Sequence, residues 1–181
     1  QHLGKTLNPK LRQVWTTRDW EHKIQAFARF FTDVKQKNLL SDDSKALCIG
    51  ARVRQEVAVL QRIGVSDSIG MDLVMYPPLA VTGDFHNQPF GNKSFDFDFS
   101  NVFDHVVYPS KFVGEIKWTL KPGGICVLHM ALPEGLINYS ANDLYCVEPL
   151  VQLFELELIH VCFVDGFGLG TEVVLCKKKN K

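Results

Sequence analysis

The segment Ala46 to Leu60, ALCIGARVRQEVAVL, sets Gly50 where a short apolar run gives way to a helical pattern. Strand, glycine turn and helix in that order can hold a nucleotide-type ligand against the turn and the first helical N–H groups. Further glycines are expected in such a turn, because a Cβ limits how closely backbone can approach a ligand. Arg52 and Arg54 stand there instead. An arginine in this place can pair through its planar guanidinium with a ligand carboxylate, or it can point to solvent from the first helical turn. Both readings stay open for Arg52, and Arg54 reads as solvent-facing. If either side chain filled the pocket, ligand binding would be lost.

A carboxylate at the end of the second strand, about 20 residues beyond the turn, can accept hydrogen bonds from both hydroxyls of a ribose. Asp72 stands there, closing SIGMD ahead of Leu73, and Asp84 closes LAVTGD. Three histidines near strand ends, His86, His105 and His129, are candidate proton acceptors; His105, just past Asn101, is the best placed. Asp and Glu do not cluster, and no CxxC or Cys/His cluster is visible along the chain, so no metal site is expected.

These residues need a scaffold, and the periodicity supplies one. Trp20, Ile24, Phe27, Ala28, Phe31 and Val34 recur at helical steps between Thr17 and Lys37, with Asp19 as N-cap. Helices are also predicted over Val53–Ile63, Lys111–Leu120 and Asn142–Leu153. Strands are predicted at ALCIG, SIGMDL, LAVTGD, FDFDFSN, ICVLHMAL, LELIHVCFVDG and EVVLCKK. The alternation, closed by a strand pair, predicts a doubly wound α/β fold: a mainly parallel seven-stranded sheet with an antiparallel C-terminal strand. The chain reads as one domain, with residues 1–40 a helical cap and 44–181 the α/β core.

Lys+Arg and Asp+Glu both number 20, so the basic excess that phosphate neutralisation demands is missing and no nucleic-acid partner is expected. The five cysteines, four of them within apolar runs, predict buried, reduced thiols and a cytoplasmic setting. The start at Gln1 leaves open a trimmed N-terminal membrane anchor.

The segment GDFHNQPFGNKSFDFDFSNVFDHV, followed by EIKWTLKPGGICVLHM, resembles the central part of class I S-adenosylmethionine-dependent methyltransferases. The matching positions are Gly83-Asp84, Pro89-Phe90, Ser94-Phe95-Asp96 and Leu120-Lys121-Pro122-Gly123-Gly124, and the similarity runs from Ala46 to Met130. The chain also resembles the small methyltransferase-like proteins of plants.

The resemblance implies a Rossmann-like methyltransferase fold and S-adenosyl-L-methionine as cofactor. Gly50, with Ala51 beside it, would admit the methionine portion, and Arg52 would meet its carboxylate. Asp72, followed by Leu73, would take the ribose. Asp84 would accept the adenine amino group, with Phe85 beside the ring. Ser100 and Asn101 would face the sulfonium and the acceptor, leaving Asn101 and His105 as the catalytic candidates. The departures are Cys48, where the family carries an acidic residue, and the two arginines, where it carries glycine.

Methyl transfer from a sulfonium is an in-line displacement, so alignment can supply about 7–11 kcal/mol of its acceleration in favourable cases. A base is required only when the acceptor must lose a proton. No Asp-Pro-Pro-Tyr or Asn-Pro-Pro-Tyr tetrad follows the fourth strand, which argues against amino methylation of nucleic acids. A small-molecule or glycan-like acceptor is therefore expected, with a protein partner or self-association also possible, and the aromatic N-terminal helix from Trp15 to Phe31 is expected as a lid. The alternative is a non-catalytic interaction module of the same fold with an impaired glycine loop.

Overall fold

A computed structural model describes residues 4, 7–74, 80–131, 146–166 and 168–179. Strands β1 (Ala46–Ile49), β2 (Ser68–Asp72), β3 (Ala80–Thr82), β4 (Phe95–Ser100), β5 (Leu120–Met130), β6 (Glu157–Gly166) and β7 (Leu169–Cys176) form one sheet in the order β3-β2-β1-β4-β5-β7-β6. The pairs β1/β2, β2/β3 and β4/β5 are parallel, while β5/β7 and β6/β7 are antiparallel. This is the expected doubly wound sheet with an antiparallel C-terminal strand. The chain divides into two compact units, Gln1–Asp84 and Phe85–Lys181.

In the first unit every residue of β1 is buried, which is why it reads as an unbroken apolar run. The N-terminal segment is two helices rather than one: α1 (Pro9–Thr16) and α2 (Trp20–Gln36). Asn8 starts α1, its side-chain oxygen accepting the N–H groups of Lys10 (3.0 Å) and Leu11 (3.4 Å), with Pro9 at the first helical position. Asp19 is the N-cap residue of α2 as expected, although its carboxylate pairs with Arg18 at 2.7 Å instead of capping the first turn. Helix α2 buries Ile24, Phe27, Phe31 and Val34, and it packs on α3 (Gln55–Arg62). Strand β3 is shorter than expected and ends at Thr82, so Asp84 lies beyond it.

In the second unit, α4 (Pro109–Thr119) stops before KPGG as expected, but the chain enters β5 at once. The Lys121–Gly124 stretch is held there by pairing with Lys177, whose N–H donates to the Gly124 carbonyl at 2.9 Å. The alternation of FDFDFS suggests one covered face, yet Asp98 and Ser100 are buried together with Phe97 and Phe99. A strand with neighbours on both sides and layers on both faces overrides the period-two pattern. Helix α5 runs from Glu148 to Phe154; the part of the predicted helix before residue 146 lies outside the described residues. No helix among the described residues is long and apolar enough to cross a membrane.

Candidate functional site

The turn after β1 keeps the conformation of a glycine loop. Gly50 sits at φ 80°, where L-residues are disfavoured. The N–H groups of Gly50 and Ala51 both donate to the Met71 carbonyl, at 2.7 and 3.1 Å, tying the turn to the end of β2. These amides are occupied, so Gly50 and Ala51 contribute shape to the site rather than donated hydrogen bonds. Arg54 occupies the position just before α3 with φ 59° and ψ 25°, the left-handed conformation that a glycine would take freely. The side chain has changed while the backbone has not.

Arg52 is half-buried, and it does not run out into solvent. Its guanidinium carbon lies 4.6 Å from the centre of the Trp15 ring. The Trp15 carbonyl in turn accepts the Gln55 side-chain amide at 3.1 Å, so the end of α1 is fastened to the start of α3 through the loop. Stacking uses the flat face of a guanidinium and leaves its N–H groups directed outward in the plane. The arginine can therefore hold Trp15 and receive a carboxylate together.

Asp72 closes β2 as expected and is half-buried. One of its oxygens accepts the Val74 N–H at 3.2 Å. Burial raises its carboxyl above the ordinary range, opposed by the Val74 N–H, the charge of Arg52 and the Leu73 N–H. A carboxylate with two oxygens retains lone pairs for further donors. Leu73 is exposed beside it. The Asp72 carbonyl accepts the Gly83 N–H at 3.0 Å, which brings the exposed Asp84 to the neighbouring strand end. Gly50, Arg52, Asp72 and Asp84 thus belong to one group of strand ends in the first unit.

The remaining sequence candidates stand in the second unit. Phe85 is half-buried and meets Phe112 edge-on at 5.7 Å. Its neighbour His86 accepts the Tyr108 N–H through Nε2 at 3.2 Å, a structural role for that imidazole. Ser100 is buried at the end of β4, its hydroxyl accepting the Val102 N–H at 3.4 Å, and Asn101 follows it half-buried. His105 ends the single 3-10 turn Phe103–His105. His129 is buried against Glu172 at 2.9 Å, away from a proton-acceptor role.

Linear reading missed three features. Trp15 earns its place only through the fold, since nothing in its spacing marks a partner for Arg52. Asp98 is fully buried, and the Thr119 hydroxyl beside it donates to the Glu115 carbonyl at 2.9 Å. Burial lifts the Asp98 carboxyl well above the usual range, with Thr119 and Lys177 pulling the other way. Strand register also assembles a His/Cys/Glu trio, His160, Cys162 and Glu172, which no linear motif announces.

A methyltransferase-domain family profile matches residues 47–128. No curated protein matches the chain. Among solved structures, a Pyrococcus horikoshii OT3 protein is similar at TM-score 0.71, with 14% identity over 90% of this chain and 92% of that one. The Burkholderia thailandensis 1,6-didemethyltoxoflavin-N1-methyltransferase, solved with 1,6-didemethyltoxoflavin and S-adenosylhomocysteine bound, is similar at TM-score 0.67, with 14% identity over 93% and 82%. A SAM-dependent methyltransferase from Aquifex aeolicus is similar at TM-score 0.63, with 15% identity over 81% and 88%. The likeness to plant proteins finds no support in these relatives. The strand order, the glycine-type turn ahead of Asp72 and the matched segment together give this chain the fold of the class I S-adenosylmethionine-dependent methyltransferases.

Proposed function

We propose that the chain is an S-adenosylmethionine-dependent methyltransferase acting on a small-molecule or glycan-like acceptor. The observation that carries this reading is the convergence of Arg52 and Asp72 beside a turn whose backbone has stayed glycine-like at both Gly50 and Arg54. The donor and acceptor types fit the cofactor. Arg52 offers a charged fork to its carboxylate, and Asp72 offers lone pairs to its ribose hydroxyls. When bound, the cofactor supplies an electrophilic methyl on a sulfonium.

The chain's own residues have five tasks in this reading. Arg52 and Asp72 bind the two polar ends. Asp84 accepts the adenine amino group, with Phe85 against the ring. Ser100 and Asn101 orient the acceptor, and His105 takes a proton where the acceptor has one to lose. Trp15, stacked on Arg52, makes the end of α1 a cover over the cofactor loop that excludes water from it. Self-association is part of the same reading, supported by the outward Ile159, Val161 and Phe163 of β6, the last strand of the sheet.

Calorimetric titration with S-adenosylmethionine and S-adenosylhomocysteine tests the reading. Saturable binding at one site per chain is expected, and absence of heat with either ligand would sink it.

A further inference from the structure

We propose that His160, Cys162 and Glu172 form a zinc(II) site on the last three strands of the sheet, with His129 holding the glutamate in position. The argument begins with register. In the β5/β7 ladder His129 lies opposite Glu172, and in the β6/β7 ladder Cys162 lies opposite the same Glu172. Directly opposed residues share a face of the sheet, and His160, two residues before Cys162, shares it too. One glutamate on the middle strand is therefore flanked by side chains from both neighbouring strands.

The contacts divide the carboxylate between two jobs. His129 Nε2 lies 2.9 Å from Oε2, and both side chains are only 2% exposed. The other oxygen, Oε1, faces His160 Nε2 at 3.2 Å and Cys162 Sγ at 3.6 Å. The ligand atoms of His160, Cys162 and Glu172 all lie within 4.8 Å of one another. Donors bound tetrahedrally to zinc at about 2.0–2.3 Å stand about 3.3–3.7 Å apart, so the trio reaches coordinating geometry by small side-chain rotations.

Donor chemistry selects the metal. One imidazole nitrogen, one thiolate and one carboxylate oxygen suit zinc, whereas calcium and magnesium take oxygen ligands only. His160 is 24% exposed, which leaves an approach for the ion and a fourth position for water. The His129 contact fixes the carboxylate so that Oε1 is presented to the ion, the arrangement that raises affinity in built zinc sites. On binding, the bond formed is Sγ–Zn and the bond broken is Sγ–H, with the Cys162 proton released to solvent. The ion then clips the β6–β7 hairpin to the carboxylate that β5 already holds.

The test needs no S-adenosylmethionine, so its outcome is independent of the proposed activity. The metal-stripped 181-residue chain, without a histidine tag, is titrated with cobalt(II) as a spectroscopic stand-in and then with zinc(II). One equivalent of cobalt should give a thiolate-to-cobalt charge-transfer band that zinc abolishes. Cys162→Ala should remove the band, and His160→Gln should weaken zinc binding at least about tenfold. His129→Gln, which touches no metal, should weaken it about 10- to 100-fold. Cys146→Ser, at the exposed thiol, should change nothing. His160→Gln alters a side chain at the solvent-facing side of the trio, so it keeps the test decisive even where Cys162→Ala fails to fold. No band in the parent chain, survival of the band in Cys162→Ala, or its loss in Cys146→Ser would each overturn the assignment.

Discussion

Arg54 stands on a backbone that glycine would suit better, and this can be measured. Arg54→Gly and Arg54→Ala remove the same guanidinium and the same contacts, so the difference between them reports the backbone alone. At φ 59° and ψ 25° an L-residue bears a left-handed cost of about 1–2 kcal/mol that glycine escapes. Glycine gives back about 0.4–1 kcal/mol through the greater freedom of its unfolded chain. Glycine should therefore exceed alanine in stability by about 0.5–1 kcal/mol. For a chain of 181 residues that corresponds to about 1–4 °C in Tm. Urea titrations at equal m-value, backed by thermal unfolding, resolve a gap of this size. Cofactor affinity in Arg54→Gly should stay equal or improve. An alanine variant as stable as the glycine variant would show that residue 54 is not held left-handed, and that the loop has abandoned its glycine-like form.

The Arg52→Ala variant should lose S-adenosylmethionine affinity about ten- to a hundredfold, from a charge-assisted contact of about 1.5–3 kcal/mol, while 5′-methylthioadenosine, which lacks the amino-acid portion, should bind as before. Tighter binding in that variant would mean the side chain blocks the pocket and would favour the non-catalytic reading. Asp98, whose carboxyl burial lifts well above its ordinary range, favours the protonated fold. Its contribution is fully present below the unfolded value of about 3.9 and is lost as pH rises through the folded one. Asp98→Asn cannot ionise, so its urea midpoint should gain on the parent's as pH rises above about 4, and a gap that stays constant with pH would refute that origin. Thiol labelling of the native protein should modify the exposed Cys146 first and the buried Cys48 and Cys126 last, with all five reached on denaturation; fewer than five would reveal a disulfide.

Much of the fold could be read from the chain because its signals are local. Four all-buried residues in β1, the glycine ending the following helix and Asp72 at the close of β2 are each set by neighbours a few positions away. The N-terminal helix was legible in type and wrong in extent: Asn8-Pro9 is a start signal for α1, and the aromatic periodicity hid the break at residues 17–19. Asp98 did not stand out along the chain, because an alternating strand normally leaves its polar face wet, whereas Phe97 to Ser100 of β4 are all buried. At the site, the places of Gly50 after β1 and Asp72 at the end of β2 followed from the local pattern, whereas Asp84 lies beyond β3. The Trp15–Arg52 stack did not follow from it, since it joins residues 37 positions apart whose pairing depends on how α1 returns to the loop. The His160, Cys162 and Glu172 cluster was hidden for a similar reason. His160 and Cys162 are two residues apart on β6, but Glu172 joins them only through the ladder of β6 and β7.

The central claim is that the strand ends around Asp72 bind S-adenosylmethionine, and calorimetry on the parent chain beside Asp72→Ala tests it most directly. The parent should bind one equivalent, and the variant should bind about tenfold more weakly or worse, because a half-buried carboxylate that accepts hydrogen bonds from the ribose contributes about 1–3 kcal/mol. Equal affinity in the two proteins, or no binding by the parent, would contradict the account.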